Sequence, residues 1–183
     1  MTTLEIDEVA GELAAAAEFA PAPSIRVEGK FFFAGARKHF VKGVTYGPFA
    51  PNEDEEGAQF PARAVVAADF ALMAEAGVNT VRVFTVPPLW LLDAAHGAGL
   101  KLLVGLPWAQ HVAFLDGPAM QARIHEAVAE GVRACARHPA VFAYLVGNEI
   151  PPDMVRWQGA GPVRRFLKDL VARVRSETIS LSR

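Results

Sequence analysis

The sequence predicts an α/β fold in which parallel strands alternate with helices. Four short runs are apolar or β-branched on consecutive residues, a pattern typical of strands that are buried on both faces. Each run is followed by a longer segment whose apolar residues recur at helical spacing. Of the 183 residues, 52% are hydrophobic, which is enough for one domain with a sizeable core.

The start of the chain is expected to lie outside this fold. Residues 1–23 form an Ala/Pro-rich tail, in which acidic side chains interrupt the apolar residues where a signal peptide would be basic. We therefore expect a folded domain over 24–183, no export and a cytoplasmic location. No segment approaches the ~20 consecutive apolar residues that span a bilayer, so no membrane contact is expected.

A small hairpin and the first βα unit are expected next. The stretch "SIRVEGKFFFAGARKHF" has two short β-rich pieces around residues 28–30, which indicates a hairpin. "VKGVTYGPF" is the first apolar run, and a Gly-Pro pair closes it. In "PARAVVAADFALMAEAG", Val66, Phe70 and Met73 lie at helical spacing, and Gly77 is a natural C-terminal cap.

The second unit repeats this pattern. "NTVRVFTV" predicts the second strand, and the two prolines at 87–88 open a helix. Leu89, Leu92 and Ala95 are expected on the buried side of that helix, before two glycines end it.

The third and fourth units complete the predicted fold. "LKLLVGLPW" is the third strand, and the helix after it begins near Asp116 and Pro118. Its buried face is expected to carry Ile124, Val128 and Val132. "VFAYLVGNE" is the fourth strand, followed by a helix from about Gly161. The inward-facing residues of this last helix are expected to be Val163, Leu167, Leu170 and Val174.

Two closures of such a sheet compete, an open doubly wound sheet and part of a (β/α)₈ barrel. An open sheet would usually carry a Gly-rich phosphate turn after its first strand. That position reads "GVTYGPFAPNEDEEG", whose acidic side chains would repel phosphate. The barrel is therefore favoured: the chain is expected to hold about the first four βα units of a (β/α)₈ TIM-barrel-type fold, a half-barrel preceded by the hairpin.

Unusual residues stand at the C-terminal end of every predicted strand, where barrels carry their reactive groups. These residues are Tyr46 on the first strand, Arg82 on the second, Trp108, Gln110 and His111 after the third, and Asn148 and Glu149 on the fourth. A carboxylate at the end of an apolar strand is partly desolvated, which suits it to proton donation. The amide, guanidinium and aromatic groups around it suit a polyhydroxylated ligand.

Several function classes are not expected. The formal net charge is -2, so the chain lacks the basic surface that binds nucleic acid. No strand carries a His-x-His or comparable cluster, so neither a metal nor another cofactor is predicted. Cys135 has no cysteine to pair with, and it is expected to pack as a small buried residue rather than act as a nucleophile.

The strand-end motifs resemble those of the retaining glycoside hydrolases of clan A, which are (β/α)₈ barrels. "HPAVFAYLVGNEI" is similar to their fourth-strand motif, and "GVNTVRVF" to their second strand. The set "GVTYGPF", "VRVF", "LLDAAHGAGLKLLVGLPW" and "YLVGNE" is especially similar to the β-1,3-glucanase family with the VGNE signature. The hairpin and "HPAV" are similar to the β-galactosidase and cellulase branches. The resemblance covers about residues 26–153.

This resemblance implies roles for the strand-end residues. Glu149 would be the general acid/base, Asn148 would hold the sugar 2-hydroxyl, and Arg82 would orient the catalytic carboxylates. Tyr46 and Trp108 would be stacking surfaces for a pyranose ring, and His111 is expected beside them in the substrate-binding set. The nucleophile of this clan is a second Glu at the end of the seventh strand, which lies beyond the four units predicted here.

The function implied is therefore cleavage or transglycosylation of O-glycosidic bonds in a β-linked glycan, with this chain supplying the acid/base half of the site. Retaining hydrolysis needs two carboxyl groups ~5–5.5 Å apart, so these residues alone are expected to be inactive. Two alternatives stay open: a non-catalytic carbohydrate-binding or scaffolding half-barrel, and a glycosidase-like domain of a larger glucan-synthesising protein. Unpaired first and fourth strands would favour a homo-oligomer.

Overall fold

The computed structural model describes residues 25–50 and 59–180. The predicted tail at 1–23 lies outside the described residues, and so does the acidic run at 53–56. The cytoplasmic location was inferred from that tail and stays a prediction. The chain divides into two compact units between residues 39 and 40. Within the described ranges, no helix combines the length and the apolar character that crossing a bilayer requires.

The first unit is an antiparallel meander of three strands, in the order β1-β2-β3. These are β1 Ile25–Glu28, β2 Phe31–Ala34 and β3 Arg37–His39. The predicted hairpin is confirmed by the pairing of β1 with β2. Strand β3 was not predicted, because its three residues are polar and show no apolar pattern. Lys38 on β3 lies 3.9 Å from the centre of the Phe31 ring, a cation–π contact with β2.

The second unit has a parallel four-stranded sheet in the order β4-β5-β6-β7. Its strands are β4 Gly43–Tyr46, β5 Thr80–Val83, β6 Lys101–Gly105 and β7 Val141–Leu145. The helices described are α1 Arg63–Glu75, α2 Leu89–Gly97, α3 Pro118–Cys135, α4 Pro152–Gln158 and α5 Ala160–Ser180. The four predicted parallel strands and the helices between them are confirmed, and the architecture is that of a partial barrel.

Residues on alternate positions of the strands face opposite sides of the sheet. Val81, Val83, Leu102 and Val104 are fully buried on the side that the helices cover. The residues between them form a second face, on which Thr45, Arg82, Leu103 and Ala143 lie side by side in register. None of these four is buried within the described structure. This second face corresponds to the interior side of a barrel.

The helices follow the predicted apolar stripes with one exception on α2 and one on α5. Leu92 and Ala95 are fully buried as predicted, but Leu89 is 62% exposed and Leu91 takes its place in the core. The prediction for Leu89 is wrong because Leu91, Leu92 and Ala95 form the buried face of the helix, and at about 100° per residue Leu89 lies to the side of that face. On α5, Val163, Leu170 and Val174 are buried.

The connection between β7 and α5 contains a helix that the sequence pattern missed. Pro152 occupies the first turn of α4, where its missing N–H costs nothing, and Gly159 ends the helix with a positive φ of 85°. None of its residues is buried, so α4 has no apolar stripe by which it could be recognised.

On α5, Phe166 is buried where Leu167 was predicted to be, and Leu167 is only half-buried.

Candidate active site

The C-terminal ends of β5, β6 and β7 surround a cavity of about 240 Å³. Four of the predicted site residues line it: Arg82, Trp108, His111 and Asn148. Close approach of the strand ends depends on Gly105, because a Cβ there would lie 2.5 Å from the carbonyl oxygen of Phe84. Four of the six predicted site residues therefore lie together at the end of the sheet where barrel enzymes carry their reactive groups, and Glu149 and Tyr46 lie outside this cavity.

Arg82 connects β5 to the residues that follow β7. Its Nη2 donates a hydrogen bond to Oδ1 of Asn148, and its guanidinium lies 4.6 Å from the centre of the Phe84 ring. The side chain is on the second face of the sheet, as the barrel predicts. A carboxylate partner was expected, but among the described contacts the Asn148 amide takes that place. Nε of Arg82 is buried and makes no hydrogen bond to the described residues.

Asn148 is held through its backbone as well as through its side chain. Its N–H donates to Oε1 of Gln110 at 2.8 Å, and Nε2 of Gln110 donates to its carbonyl oxygen. Gln110 is 8% exposed. Sequence analysis noted Gln110 after the third strand without giving it a role, because the bonds join residues that are 38 positions apart.

Trp108 and His111 form another part of the cavity wall. The indole Nε1 of Trp108 donates to the carbonyl oxygen of Val146 at 2.7 Å. Its ring packs edge-on against Phe114 and Phe166, with centroids 5.0 and 5.8 Å away, so the ring is held in one orientation. The indole is half-buried, and His111 is exposed.

Glu149 follows Asn148 directly and is exposed. It is absent from the cavity lining, and its backbone has a positive φ of 50°, which is uncommon for a residue with a Cβ. The desolvation expected at the end of an apolar strand is therefore not observed. The reason is that β7 ends at Leu145, so the chain has left the strand before it reaches Glu149.

Tyr46 does not belong to the cavity. The residue is 6% exposed, its ring packs against Phe49 and Phe70, and its hydroxyl donates to Oδ2 of Asp69 at 2.7 Å. Burial, with the bond to Asp69, raises the pKa of Tyr46 well above its usual value. The prediction of a sugar-stacking surface at Tyr46 is wrong. Thr45 occupies the second face beside Arg82, so strand alternation turns Tyr46 towards the helices.

The fold and the strand-end site together define a glycoside hydrolase-like domain of the clan A TIM-barrel class. A family model described as glucanosyltransferase, glycoside hydrolase family 72, matches residues 14–179. The chain belongs to this family.

Curated relatives include two yeast proteins. The chain is 24% identical over 161 residues to the 1,3-β-glucanosyltransferase gas1 of Schizosaccharomyces pombe, a match that covers 83% of this chain and 30% of the relative. It is 23% identical over 168 residues to the 1,3-β-glucanosyltransferase GAS2 of Saccharomyces cerevisiae, with 82% and 30% covered. The chain thus spans about 30% of the length of these relatives.

Solved structures of the same fold include a β-glucuronidase from Ruminococcus gnavus. It superposes with a TM-score of 0.66 at 18% identity, covering 84% of this chain and 25% of the glucuronidase chain. At this level of identity the superposition shows the fold, and it confirms the TIM-barrel type predicted from the sequence.

Proposed function

We propose that this chain supplies the acid/base half of a retaining site that cleaves and transfers O-glycosidic bonds of a β-linked glucan. The proposal rests chiefly on the bond between Arg82 and Asn148, which joins two strand ends beside the cavity and stands next to Glu149. The names of the two yeast relatives support a β-1,3-linked glucan as the substrate.

Retaining chemistry uses one carboxyl group as the nucleophile and a second as the acid/base. We assign the acid/base role to Glu149. In the first step its proton goes to the leaving glycosidic oxygen while the nucleophile forms a bond to the anomeric carbon. In the second step its carboxylate takes a proton from the acceptor hydroxyl, which attacks that carbon and releases the nucleophile. Water as the acceptor gives hydrolysis, and a sugar hydroxyl gives transglycosylation.

Asn148 and the cavity wall provide the sugar contacts in this proposal. Because Arg82 donates to Oδ1 of Asn148, the amide offers its NH₂ group as a donor to a hydroxyl oxygen of the sugar. The half-buried Trp108 ring and the exposed His111 then border the sugar. Aromatic and polar groups in one cavity match the apolar faces and the hydroxyls of a pyranose.

The nucleophile is the part of the site that the cavity does not contain. Among the described residues, none of those lining it is an Asp or a Glu, although retaining cleavage needs two carboxyl groups ~5–5.5 Å apart. We therefore expect the 183 residues alone to bind glucan without turning it over. The same observation favours a second candidate function, a non-catalytic carbohydrate-binding or scaffolding half-barrel.

Titration calorimetry with β-1,3- and β-1,4-linked gluco-oligosaccharides tests the substrate class. We expect the β-1,3 series to bind, and Asn148→Ala to weaken that binding by about tenfold, because one hydrogen bond to the sugar is lost. Tyr46→Phe is the control, since it removes a hydroxyl outside the cavity and should leave the affinity unchanged. If neither series binds the unaltered chain, the proposed substrate class is wrong.

A parallel assay of glycosidic bond cleavage tests whether these residues hold only half of the retaining site. Binding with no turnover is the expected result for the chain by itself. Turnover would require a nucleophile within these residues and would contradict the assignment of only half of the site to them.

A further inference from the structure

We propose that Gln110 is a positioning residue, which fixes the backbone of Asn148 and thereby sets the direction in which Asn148 and Glu149 are presented to the sugar. This inference rests on the proposed function of the cavity. Gln110 and Thr80 are the polar residues that are buried in the described part of the chain. A buried amide is retained at low cost only where both its donor and its acceptor are paired.

The bonds of Gln110 extend the β6–β7 pairing beyond the ends of the strands. The paired register ends at Gly105 and Leu145, and the N–H of Leu106 then donates to the carbonyl oxygen of Leu145 at 3.0 Å. The Trp108 indole donates to the next carbonyl, that of Val146. The segment after β6 thus remains hydrogen-bonded to the segment after β7, first through its backbone and then through side chains.

Gln110 completes this series. Its side-chain amide has its oxygen and one of its two N–H groups on the same side, and it uses both on Asn148. Oε1 accepts from the Asn148 N–H at 2.8 Å, and Nε2 donates to the Asn148 carbonyl oxygen. Asn148 lies beyond the paired ends of β6 and β7, and the Gln110 side chain makes the hydrogen bonds that the backbone of a neighbouring strand would otherwise make.

These bonds act directly on the residue that follows. The carbonyl oxygen of Asn148 belongs to the planar peptide group that joins Asn148 to Glu149. The hydrogen bond from Nε2 therefore fixes the orientation of this peptide plane, to which the backbone nitrogen of Glu149 belongs. Glu149 then adopts a φ of 50°, which a residue with a Cβ keeps only where its surroundings hold it. Gln110 provides that restraint on one side, and Arg82 holds the Asn148 side chain on the other.

Gln110→Met tests the inference, because methionine keeps a similar length and volume but removes both hydrogen bonds. The matched control is Gln121→Met. Nε2 of Gln121 donates to the carbonyl oxygen of Leu115 at 3.1 Å, a comparable bond outside the cavity. Gln110→Glu is the conservative variant, which keeps an acceptor for the Asn148 N–H and loses the donor.

The first readout is hydrogen exchange of the Asn148 amide, followed by NMR. Exchange should be faster by about tenfold or more in Gln110→Met and unchanged in Gln121→Met, because only the first variant removes the acceptor. Gln110→Glu should exchange more slowly than Gln110→Met. Equal exchange rates in the unaltered chain and in Gln110→Met would overturn the inference.

The second readout is the affinity for a β-1,3-linked gluco-oligosaccharide. Gln110→Met should weaken binding by about tenfold, and Gln121→Met should leave it unchanged. Equal loss in both variants would show a general effect on the fold and contradict a positioning role. If the unaltered chain binds no glucan, the proposed function fails, whereas the exchange of the Asn148 amide still decides whether Gln110 fixes that residue.

Discussion

At the scale of single residues, backbone strain is found at the proposed acid/base. Two residues with a Cβ have a positive φ in the described structure, Glu149 at 50° and Arg137 at 72°. Arg137 follows the end of α3, where glycine is the usual residue. Glu149 has no such role at a helix end. We propose that this conformation gives the Glu149 side chain the direction that its acid/base role needs.

Replacing Glu149 with glycine should therefore stabilise the protein. Glycine adopts a positive φ without a Cβ penalty, so we expect Glu149→Gly to raise the free energy of unfolding by about 0.5–1 kcal/mol in urea denaturation. Arg137→Gly is the control. It should raise the free energy of unfolding by a similar amount, and it should leave glucan binding at the cavity unchanged because Arg137 does not line the cavity. A loss of stability in Glu149→Gly would mean that the carboxylate makes contacts worth more than the strain.

Cys135 should react slowly with thiol reagents in the folded protein. It is 2% exposed, burial raises the pKa of its thiol, and its Sγ lies 3.2 Å from the carbonyl oxygen of Gly131. We expect alkylation near pH 8 to be about a hundredfold or more slower than in urea-unfolded chain, because reaction requires opening of the core. A fast native reaction would contradict the packing of α3, and with it the prediction that this thiol is a buried, inert residue.

At the scale of elements, a closed set of ion pairs joins the two longest helices. Arg133 on α3 pairs with Glu177 on α5 at 3.3 Å, and Arg173 on α5 pairs with Glu126 on α3 at 3.5 Å. Each arginine also pairs with the glutamate of its own helix. The Glu177 side chain is only 14% exposed, so its pairs are screened less by salt than surface pairs are.

Glu177→Gln should accordingly destabilise the protein by about 1 kcal/mol, because it leaves two arginines without one of their partners. Glu130→Gln, at an exposed position on α3, is the matched control and should cost less than about 0.5 kcal/mol. Urea denaturation at low salt and in 1 M salt measures both. An identical effect of the two variants would show that the ion pairs do not contribute to the packing of α3 on α5.

Elements that bury an apolar stripe were predictable from the sequence. Helices α1, α2, α3 and α5 and the central strands β5 and β6 bury apolar residues. Strands β4 and β7 were predictable because they are apolar or β-branched on consecutive residues, although Tyr46 is the one buried residue of the two. Helix α4 and strand β3 bury almost nothing and were not predicted. The barrel rule placed Arg82 and Asn148 together although they are 66 residues apart. It could not decide which face of β4 carries Tyr46, nor that β7 ends before Glu149. The role of Gln110 depends on a tertiary contact that no local pattern signals.

At the scale of the whole molecule, the second face of the sheet is not covered by other elements of the described structure, since Thr45, Arg82, Leu103 and Ala143 are not buried. The sheet ends at β4 and β7 within the described residues, and on this face Thr45 is exposed while Arg82, Leu103 and Ala143 are half-buried. An eight-stranded barrel has no such edges, and its interior is filled by side chains. We propose that copies of this chain associate through the strand edges and this face, which would cover them.

Self-association should therefore depend on residues of the second face. Light scattering over a range of concentrations should show oligomers for the unaltered chain. Leu103→Glu should shift the chain towards monomer, because it places a charge on the face that would be covered. Val65→Glu is the control on the exposed side of α1, where Val65 is 48% exposed. A monodisperse monomer at all concentrations would contradict the proposal.

The central claim is that glucan binds at the C-terminal ends of β5, β6 and β7, and the three tryptophans of the chain allow it to be tested within one molecule. Trp108 lines the cavity, Trp90 lies on α2, and Trp157 is 78% exposed on α4. The most direct measurement is an NMR titration of the three indole N–H signals with a β-1,3-linked gluco-oligosaccharide. We expect the Trp108 signal to shift in a saturable manner while those of Trp90 and Trp157 stay in place. A saturable shift of Trp90 or Trp157 without one of Trp108 would contradict it.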